Sequence, residues 1–367
     1  MFRLRKKTLR LNLALQGGGA HGAFTWGVLD RLLDEADIEI GWISGTSAGA
    51  INAVALAAGI ADGGRAGGRA RLRAIWESVI ESGVPDLLRF NPFLTGLSRS
   101  QTMGQIGSMF SPYDFNPINF DPLRKLLETH IDFAKLRKDK GPDLLIAATD
   151  VATGRVRRFR RHELTIEAVL ASTCLPQVHH AVEIDGRAYW DGGFSANPDL
   201  VTVAADSPIG DTLLVLLNPV EKLGTPKTTR DIASEVNRVT FTQPLLRDIA
   251  EITEAQAEKR SFWPHRATRR ARIAAHRFHM IEAGRHTAML APETKMRPDR
   301  EMIENLRTAG QDEAKRWFGR HIGDIGHRSS VDLNAHFFQP MKPRESAADQ
   351  IADAAGLKAA EEVAEKL

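Results

Sequence analysis

The chain has 367 residues, 43% hydrophobic and 26% charged, with a net charge of +3 and a pI near 9.0. That is the composition of a soluble globular protein with enough chain for a substantial core, as one large domain or one domain with an appendage. No run of about 18 uninterrupted apolar residues occurs, which excludes an apolar transmembrane span. The one cysteine, Cys174, excludes an intramolecular disulfide and a cysteine metal cluster and reads as a small buried apolar residue.

Residues 9–16, LRLNLALQ, alternate as a strand that enters the core. Their basic lead-in imitates a signal peptide, but the apolar part, Leu11 to Leu15, is short, holds Asn12 and runs into Gly17-Gly18-Gly19 instead of a cleavage site. The expected location is therefore cytoplasmic, at most peripheral to a membrane, with export lacking a cleavable signal left open. The turn Gly17-Gly18-Gly19-Ala20-His21-Gly22 leads into a helix over Ala23 to Glu35, with Phe24, Val28 and Leu32 on one face. As GxGxxG this turn matches a dinucleotide fingerprint, whose second strand should end in an acid that binds the ribose. Here that strand ends in Gly45-Thr46-Ser47, and the nearby acid, Glu39, lies near its start. The competing reading is an oxyanion hole, because backbone amides without side chains at Gly18 and Gly19 can approach a developing anion closely.

The stretch IEIGWISGTSAGAINAVALAA, residues 38–58, reads as strand, sharp turn and helix with Ser47 at the tip. Small residues at Gly45, Ala48 and Gly49 let the helix press against the strand while the serine points outward and the helix N-terminal amides face whatever it attacks. Consecutive strands of a βαβ unit are usually neighbours, so both turns are expected at one carboxyl edge.

Farther along, residues 59–74 are rich in Gly and Arg and are expected to form a surface loop entering a helix at Ala70 to Ser82. From Gly83 to Asp121 the chain turns to Pro, Gly, Phe and Met with little periodicity, the pattern of a lid or binding loop that shapes an acyl-chain channel, or of plain core wrapping. Asp143 to Thr149 is a further core strand, hairpinned to Arg155–Arg161. A short helix over Thr165 to Cys174 follows, then strands at Ala181–Ile184 and Ala188–Trp190 that lead to Asp191-Gly192-Gly193. An acid ending an apolar strand before two glycines suits a carboxylate facing a crevice, although Asp-Gly is also a hairpin turn. Leu213 to Leu217 is a buried strand, and residues 228–262 read as helices interrupted at Pro244. A strand at Arg277–Glu282, a helix at Asp299–His321 and a polar tail from 344 complete the chain. The arginine-rich runs 155–161 and 266–277 read as solvated faces, and no nucleic-acid partner is expected.

Taken in order, Gly17-Gly18-Gly19-Ala20-His21-Gly22, Gly45-Thr46-Ser47-Ala48-Gly49 and Asp191-Gly192-Gly193 resemble the motifs of the patatin-like phospholipases, over about residues 9–220. The stretch Ala171 to Pro176 before Tyr189-Trp190-Asp191 is similar to that family's approach to its aspartate. The resemblance implies an α/β fold, a patatin-like three-layer sandwich with a mainly parallel sheet, helices on both faces and a helical C-terminal extension. It divides the chain into a catalytic core, 1–225, a mostly helical part packing on it, 226–325, and a peripheral tail, 326–367. It also implies a Ser–Asp dyad in which Ser47 is nucleophile and Asp191 general base, with Gly17, Gly18 and Gly19 as the oxyanion loop. His21, Gly22, Gly45, Gly49, Gly192 and Gly193 support the motifs. The family commonly has Arg or Lys where this chain has His21, and an unperturbed histidine is mostly neutral at pH 7.

The implied reaction is hydrolysis of lipid carboxylic esters at a membrane or micelle surface, of the phospholipase A or lysophospholipase type, with no metal or cofactor. Two alternatives stay open. One is a Ser–His–Asp esterase using His265, His276, His279 or His286, against which stands the early position of Ser47. The other is a catalytically silent lipid-binding module.

Overall fold

The computed structural model describes residues 8–81, 111–117, 119, 121–139, 141–219, 224–258, 268–287, 290, 294–295 and 298–339. Of the stretch Gly83 to Asp121, read as a lid or as core wrapping, residues 83–110, 118 and 120 lie outside the described residues, as do His265 and the polar tail from 344.

A mixed, mostly parallel sheet forms the middle layer. Its strands are β1 (Leu9–Leu15), β2 (Ile38–Gly45), β3 (Asp143–Asp150), β4 (Val156–Arg160), β5 (Val182–Ile184), β6 (Arg187–Asp191), β7 (Asp211–Leu216) and β8 (Arg277–Glu282). The hydrogen-bonded order is β5-β6-β3-β2-β1-β7-β8, with β4 also paired to β3. Strands β3, β2, β1, β7 and β8 run parallel, whereas β4, β5 and β6 are antiparallel additions.

The period-two alternation of the central strands explains the three layers. Leu11, Leu13 and Leu15 of β1, with Leu213 and Val215 of β7, belong to one buried cluster, and the alternate residues Ala14, Leu214 and Leu216 to another. The first cluster is covered by α1 (Ala23–Leu32), α2 (Ala48–Glu81), α3 (Pro122–His130) and α4 (Ile166–Thr173). On the opposite face, α5 (Leu200–Asp206) and α6 (Thr229–Glu258) cover the second. The C-terminal helix α7 (Arg300–His321) returns to the first face and sends Ile303, Leu306, Ala314 and Phe318 into that core.

Two sequence expectations need correction. The Gly- and Arg-rich segment 59–74 is helical, not a loop: α2 consists of two helical halves that meet at Gly63 and Gly64, whose dihedrals leave the helical region. The absence of side chains at Gly59 and Gly67 lets those halves pack backbone to backbone, which outweighs their poor helix propensity. Pro244 does not interrupt its helix either, since α6 continues through it. The second half of α6 buries Leu245, Ile249 and Ile252, whereas Ile232, Val236 and Val239 on the first half are exposed.

Helix α7 is locked to α1 by a glycine at each side of the crossing. A methyl group on Gly27 would overlap the Arg307 carbonyl oxygen, and one on Gly310 would overlap that of Phe24. Arg307 then pairs with buried Asp30 at 2.9 Å and lies over the Trp26 ring, 4.1 Å from its centroid. Because backbone cannot yield as a side-chain tip does, Gly27→Ala and Gly310→Ala should each destabilise the protein by about 1–3 kcal/mol. Urea denaturation followed by far-UV circular dichroism tests this, and wild-type midpoints would show that the two helices can separate freely.

Candidate active site

The meeting of the two chemically interesting turns is a consequence of β3 pairing. Leu145 is paired with both Ser44 and Arg160, so β2 and β4 occupy opposite edges of β3; Thr149 is paired with both Val156 and Trp190, so β4 and β6 are also opposite. Strands β2 and β6 therefore share one edge and approach it from opposite directions. Strand β2 ends with Gly45 opposite Ile146, and β6 ends with Asp191 opposite Ala148. The turn after each strand opens into the same gap.

Within that gap the Ser47 side chain lies near enough to the Asp191 carboxyl group to act on it electrostatically, holding its pKa down against the effect of burial. Ser47 has a left-handed backbone, φ 54°, the strained conformation expected of a residue on a strand-to-helix elbow. Its amide donates to the Ser172 hydroxyl at 3.0 Å, and Thr46 beside it donates its hydroxyl to the Ala196 carbonyl at 2.8 Å. Gly45 and Gly49 allow the elbow to be tight: a methyl group on Gly45 would lie 2.6 Å from the Gly49 carbonyl oxygen.

Asp191 is almost wholly buried, 1% exposed. Loss of water raises its pKa to about 7, against the opposing effect of the Gly193 amide, which donates to Oδ1 at 2.7 Å, and of the nearby Ser47 hydroxyl. Gly192 lets the strand end pass over β3, where a methyl group would strike the Ala147 carbonyl oxygen, and Gly193 abuts the Phe241 ring of α6.

The glycine turn lies on the other side of Ser47. A methyl group on Gly17 would be 2.9 Å from Ser47 Cβ, so this glycine is what allows the turn to approach. Its amide, however, donates to Asn197 Oδ1 at 2.8 Å and is already spent. The amides of Gly18 and Gly19 donate to no protein acceptor among the described residues. Gly19 has φ 57° and opens a short 3-10 helix over Gly19–Gly22. Gly22 faces Ala48 at the start of α2. His21 is buried, with Nε2 2.8 Å from the Thr294 hydroxyl, and burial together with the neighbouring Lys295 lowers its pKa to about 3. It is a neutral structural residue and carries no charge toward the turn.

An apolar cavity of about 170 Å³ opens beside Ser47, walled by Gly19, Ile51, Trp76, Val79, Leu126 and Val178 among others, with Lys295 at its edge. Sequence reasoning did not single out Ser172, Asn197 or Lys295. The first lies in the noted Ala171–Pro176 stretch, whereas nothing in the sequence pattern distinguishes Lys295. Cys174 is buried, donates to the His180 carbonyl at 3.0 Å and has its pKa pushed up to about 12, so it is inert packing. The described candidates for a third triad member are engaged elsewhere: His276 with Thr212, His279 with Asp211 near the amino end of β7, and His286 with Glu313.

A family model of the patatin-like phospholipases matches residues 13–204. The chain belongs to the patatin-like phospholipase family. That membership supports a lipid ester hydrolase, and the matched segment of this patatin-like chain contains Ser47, Asp191 and the glycine turn. Among solved structures it is similar to VipD from Legionella pneumophila, at 15% identity over 87% of this chain and 71% of that chain, with a TM-score of 0.38. It is also similar to full-length ExoU of Pseudomonas aeruginosa, solved with SpcU, at 15% identity over 68% of this chain and 53% of that chain, with a TM-score of 0.26. No curated protein matches it. No described helix is long and apolar enough to cross a membrane.

Because the folded pKa of Asp191 lies above its unfolded value, the carboxyl group stabilises the fold in its protonated form. That contribution is complete below about pH 4 and is lost as pH rises through about 7. Asp191→Asn, permanently neutral, should therefore exceed the wild type in stability by roughly 2–4 kcal/mol at pH 8 and by much less at pH 5. Urea midpoints at the two pH values measure this; an equal difference at both would mean that the carboxyl group is not held neutral by burial.

Proposed function

We propose that the protein is a serine acyl hydrolase that cleaves carboxylic ester bonds of lipids, of the phospholipase A or lysophospholipase type, at a membrane or micelle surface. The observation that carries this reading is an elbow serine set beside a buried carboxyl group, next to an apolar cavity and two amides that donate to no acceptor among the described residues. Asp191 in its ionised form takes the Ser47 proton as Oγ attacks the ester carbonyl. The tetrahedral oxyanion faces the Gly18 and Gly19 amides, preorganised donors in a site with little water. Collapse expels the alcohol, which leaves with the proton held by Asp191. Water then attacks the acyl-enzyme, giving up its proton to Asp191, and Ser47 departs as the hydroxyl.

A carboxylate is a weak base toward an alcohol, and burial narrows that gap by raising Asp191 to about 7. Esters suit such a pair because an alkoxide leaves with less help than an amine needs. The cavity beside Ser47 matches an acyl chain in its apolar character. The Ser–His–Asp alternative loses support from the commitments of His276, His279 and His286.

Ser47→Ala and Asp191→Asn should each lower kcat on a p-nitrophenyl acyl ester by at least about 10³ with an unchanged circular dichroism spectrum. A fluorophosphonate probe should label Ser47, identified by peptide mass spectrometry; retained activity in either variant, or labelling of another residue, would remove the assigned roles. Vesicle binding without turnover by the wild type would instead favour the silent lipid-binding module. For the wild type, kcat/KM should rise with pH through about 7, because protonated Asp191 cannot accept the serine proton. A pH-rate profile that is flat between 6 and 8 would sink this assignment of the base.

A further inference from the structure

Gly17, Gly18 and Gly19 carry no side chains to anchor in the core, and glycine keeps more backbone freedom than any other residue. Amides that are to meet a developing oxyanion must nevertheless be in place before the reaction begins. Backbone hydrogen bonds are the main means left of holding such a turn. The Gln16 amide donates to the Val215 carbonyl at 3.1 Å, which fixes the strand end, and the His21 amide donates to the Gly18 carbonyl at 3.2 Å, which closes the turn on itself. The Gly17 amide alone reaches toward the Asp191 turn, donating to Asn197 Oδ1 at 2.8 Å.

Asn197 is itself fully buried, and its Nδ2 donates to the Phe241 carbonyl of α6 at 3.0 Å. An amide donor on one side and a carbonyl acceptor on the other admit one orientation of the carboxamide, with Oδ1 toward the glycine turn. Neither a hydroxyl-free apolar side chain nor an ionised carboxylate can satisfy both partners. The carbonyl used lies in the turn of α6 that Pro244 disturbs, since proline has no N–H for Thr240 and its ring pushes that carbonyl aside. The segment 191–197 therefore joins the parts of the site. It carries the Asp191 carboxyl group, it receives the Thr46 hydroxyl at the Ala196 carbonyl beside Ser47, and through Asn197 it holds Gly17.

We infer that Asn197 is the positioning residue of the oxyanion turn: bridging Gly17 and Phe241, it sets the Gly18 and Gly19 amides relative to Ser47 and Asp191. The inference rests on the acyl hydrolase reading and adds the residue that places its donors. Asn197 acts through Gly17 and not on the substrate. By occupying the Gly17 amide it also decides which glycines are left to face the oxyanion. The bond to α6 makes a helix outside the three motifs part of that setting, because a shift of Phe241 would turn the carboxamide and release Gly17.

The test compares the full-length wild type with Asn197→Ala, which removes both bonds, and Asn197→Asp, which has the same size and keeps an acceptor for Gly17 but, when ionised, cannot donate to Phe241. Intact sites are counted with a fluorophosphonate probe, so that kcat refers to folded, reactive protein. On a p-nitrophenyl acyl ester kcat should fall at least about tenfold in both variants while KM stays within about twofold, because misplacement by about 1 Å weakens donors that act only in the transition state. An acyl trifluoromethyl ketone supplies the second readout: Ser47 Oγ bonds the ketone carbon, its proton passes to Asp191 and the carbonyl oxygen becomes an oxyanion. Its affinity should drop by the same factor as kcat/KM. Unchanged affinity for the ketone overturns the inference, as does a loss of activity that vanishes once rates are referred to counted sites, or one confined to KM. Failure of both variants to fold assigns Asn197 to the fold and overturns it too. A wild type that neither hydrolyses the ester nor reacts with the probe removes the acyl hydrolase reading and the inference with it, whereas an active wild type with unaltered variants removes the inference alone.

Discussion

The shared edge of β3 is the constraint on which the site depends. A parallel strand and an antiparallel one can occupy the same edge only by ending toward each other, and the gap between their ends is two residues of β3 wide, from Ile146 to Ala148. Both chains must leave the sheet there, and each does so through small residues. Gly45 and Gly49 let one turn into a helix at once, and Gly192 and Gly193 let the other pass over β3 and under α6. Ser47 and Asp191 are consequently held near each other by backbone pairing, which no solvent fluctuation of a long side chain can loosen. The proposed Ser–Asp pair needs this, because it has no intervening imidazole to bridge a misplaced serine and carboxylate.

Electrostatically, the site is arranged against the stability of the fold. A carboxylate is buried where it is held near neutrality, a histidine is buried where it cannot charge, and the Lys295 ammonium is buried with no carboxylate within ion-pair distance among the described residues. Elsewhere several buried charges are matched: Asp30 with Arg307, Asp199 with Arg158, Asp211 with Arg277. The arginine-rich stretch over β4 follows the same economical pattern, with Arg157, Arg158 and Arg160 meeting Glu163, Asp199 and Asp206, and this makes it a structural face. Unmatched charge is not confined to the neighbourhood of Ser47, since burial and the neighbouring Asp199 also push Asp248 of α6 upward. Perturbed groups gathered in a cleft mark function more often than architecture.

Periodicity made the strands legible, because alternation in β1 and β7 records which side chains enter which layer. The three motifs made the site legible, because each places a small residue where two backbones must touch. The sequence misled where tertiary contact overrode local preference: the glycines of 59–74 look like loop residues, yet they serve a helix-to-helix contact. Gly17 shows a finer limit. Its place in the glycine turn suggests an oxyanion donor, but Asn197, 180 positions away, takes that amide. Lys295 could not be read at all, since a single lysine between Thr294 and Met296 has no pattern and acquires meaning only where the chain folds back over Gly19.

The position of Lys295 also bears on what constitutes the functional unit. The family match ends at residue 204, before β7 and β8, which complete the sheet, and before α7, which closes the first face over Phe24 and Val28. Those later elements do more than shelter the core. The end of β7 supplies Leu217, against which Gly18 packs, and Asn218, which holds the lysine; Phe241 of α6 seats Gly193; the stretch at 294–295 covers the glycine turn. The glycine turn and the Asp191-Gly192-Gly193 turn thus each have contacts from the rest of the chain pressing on them. The proposed arrangement of a hydroxyl, a carboxylate and two amides around one carbonyl requires support of that kind, so in this reading the elements beyond the motifs belong to the site as much as to the fold.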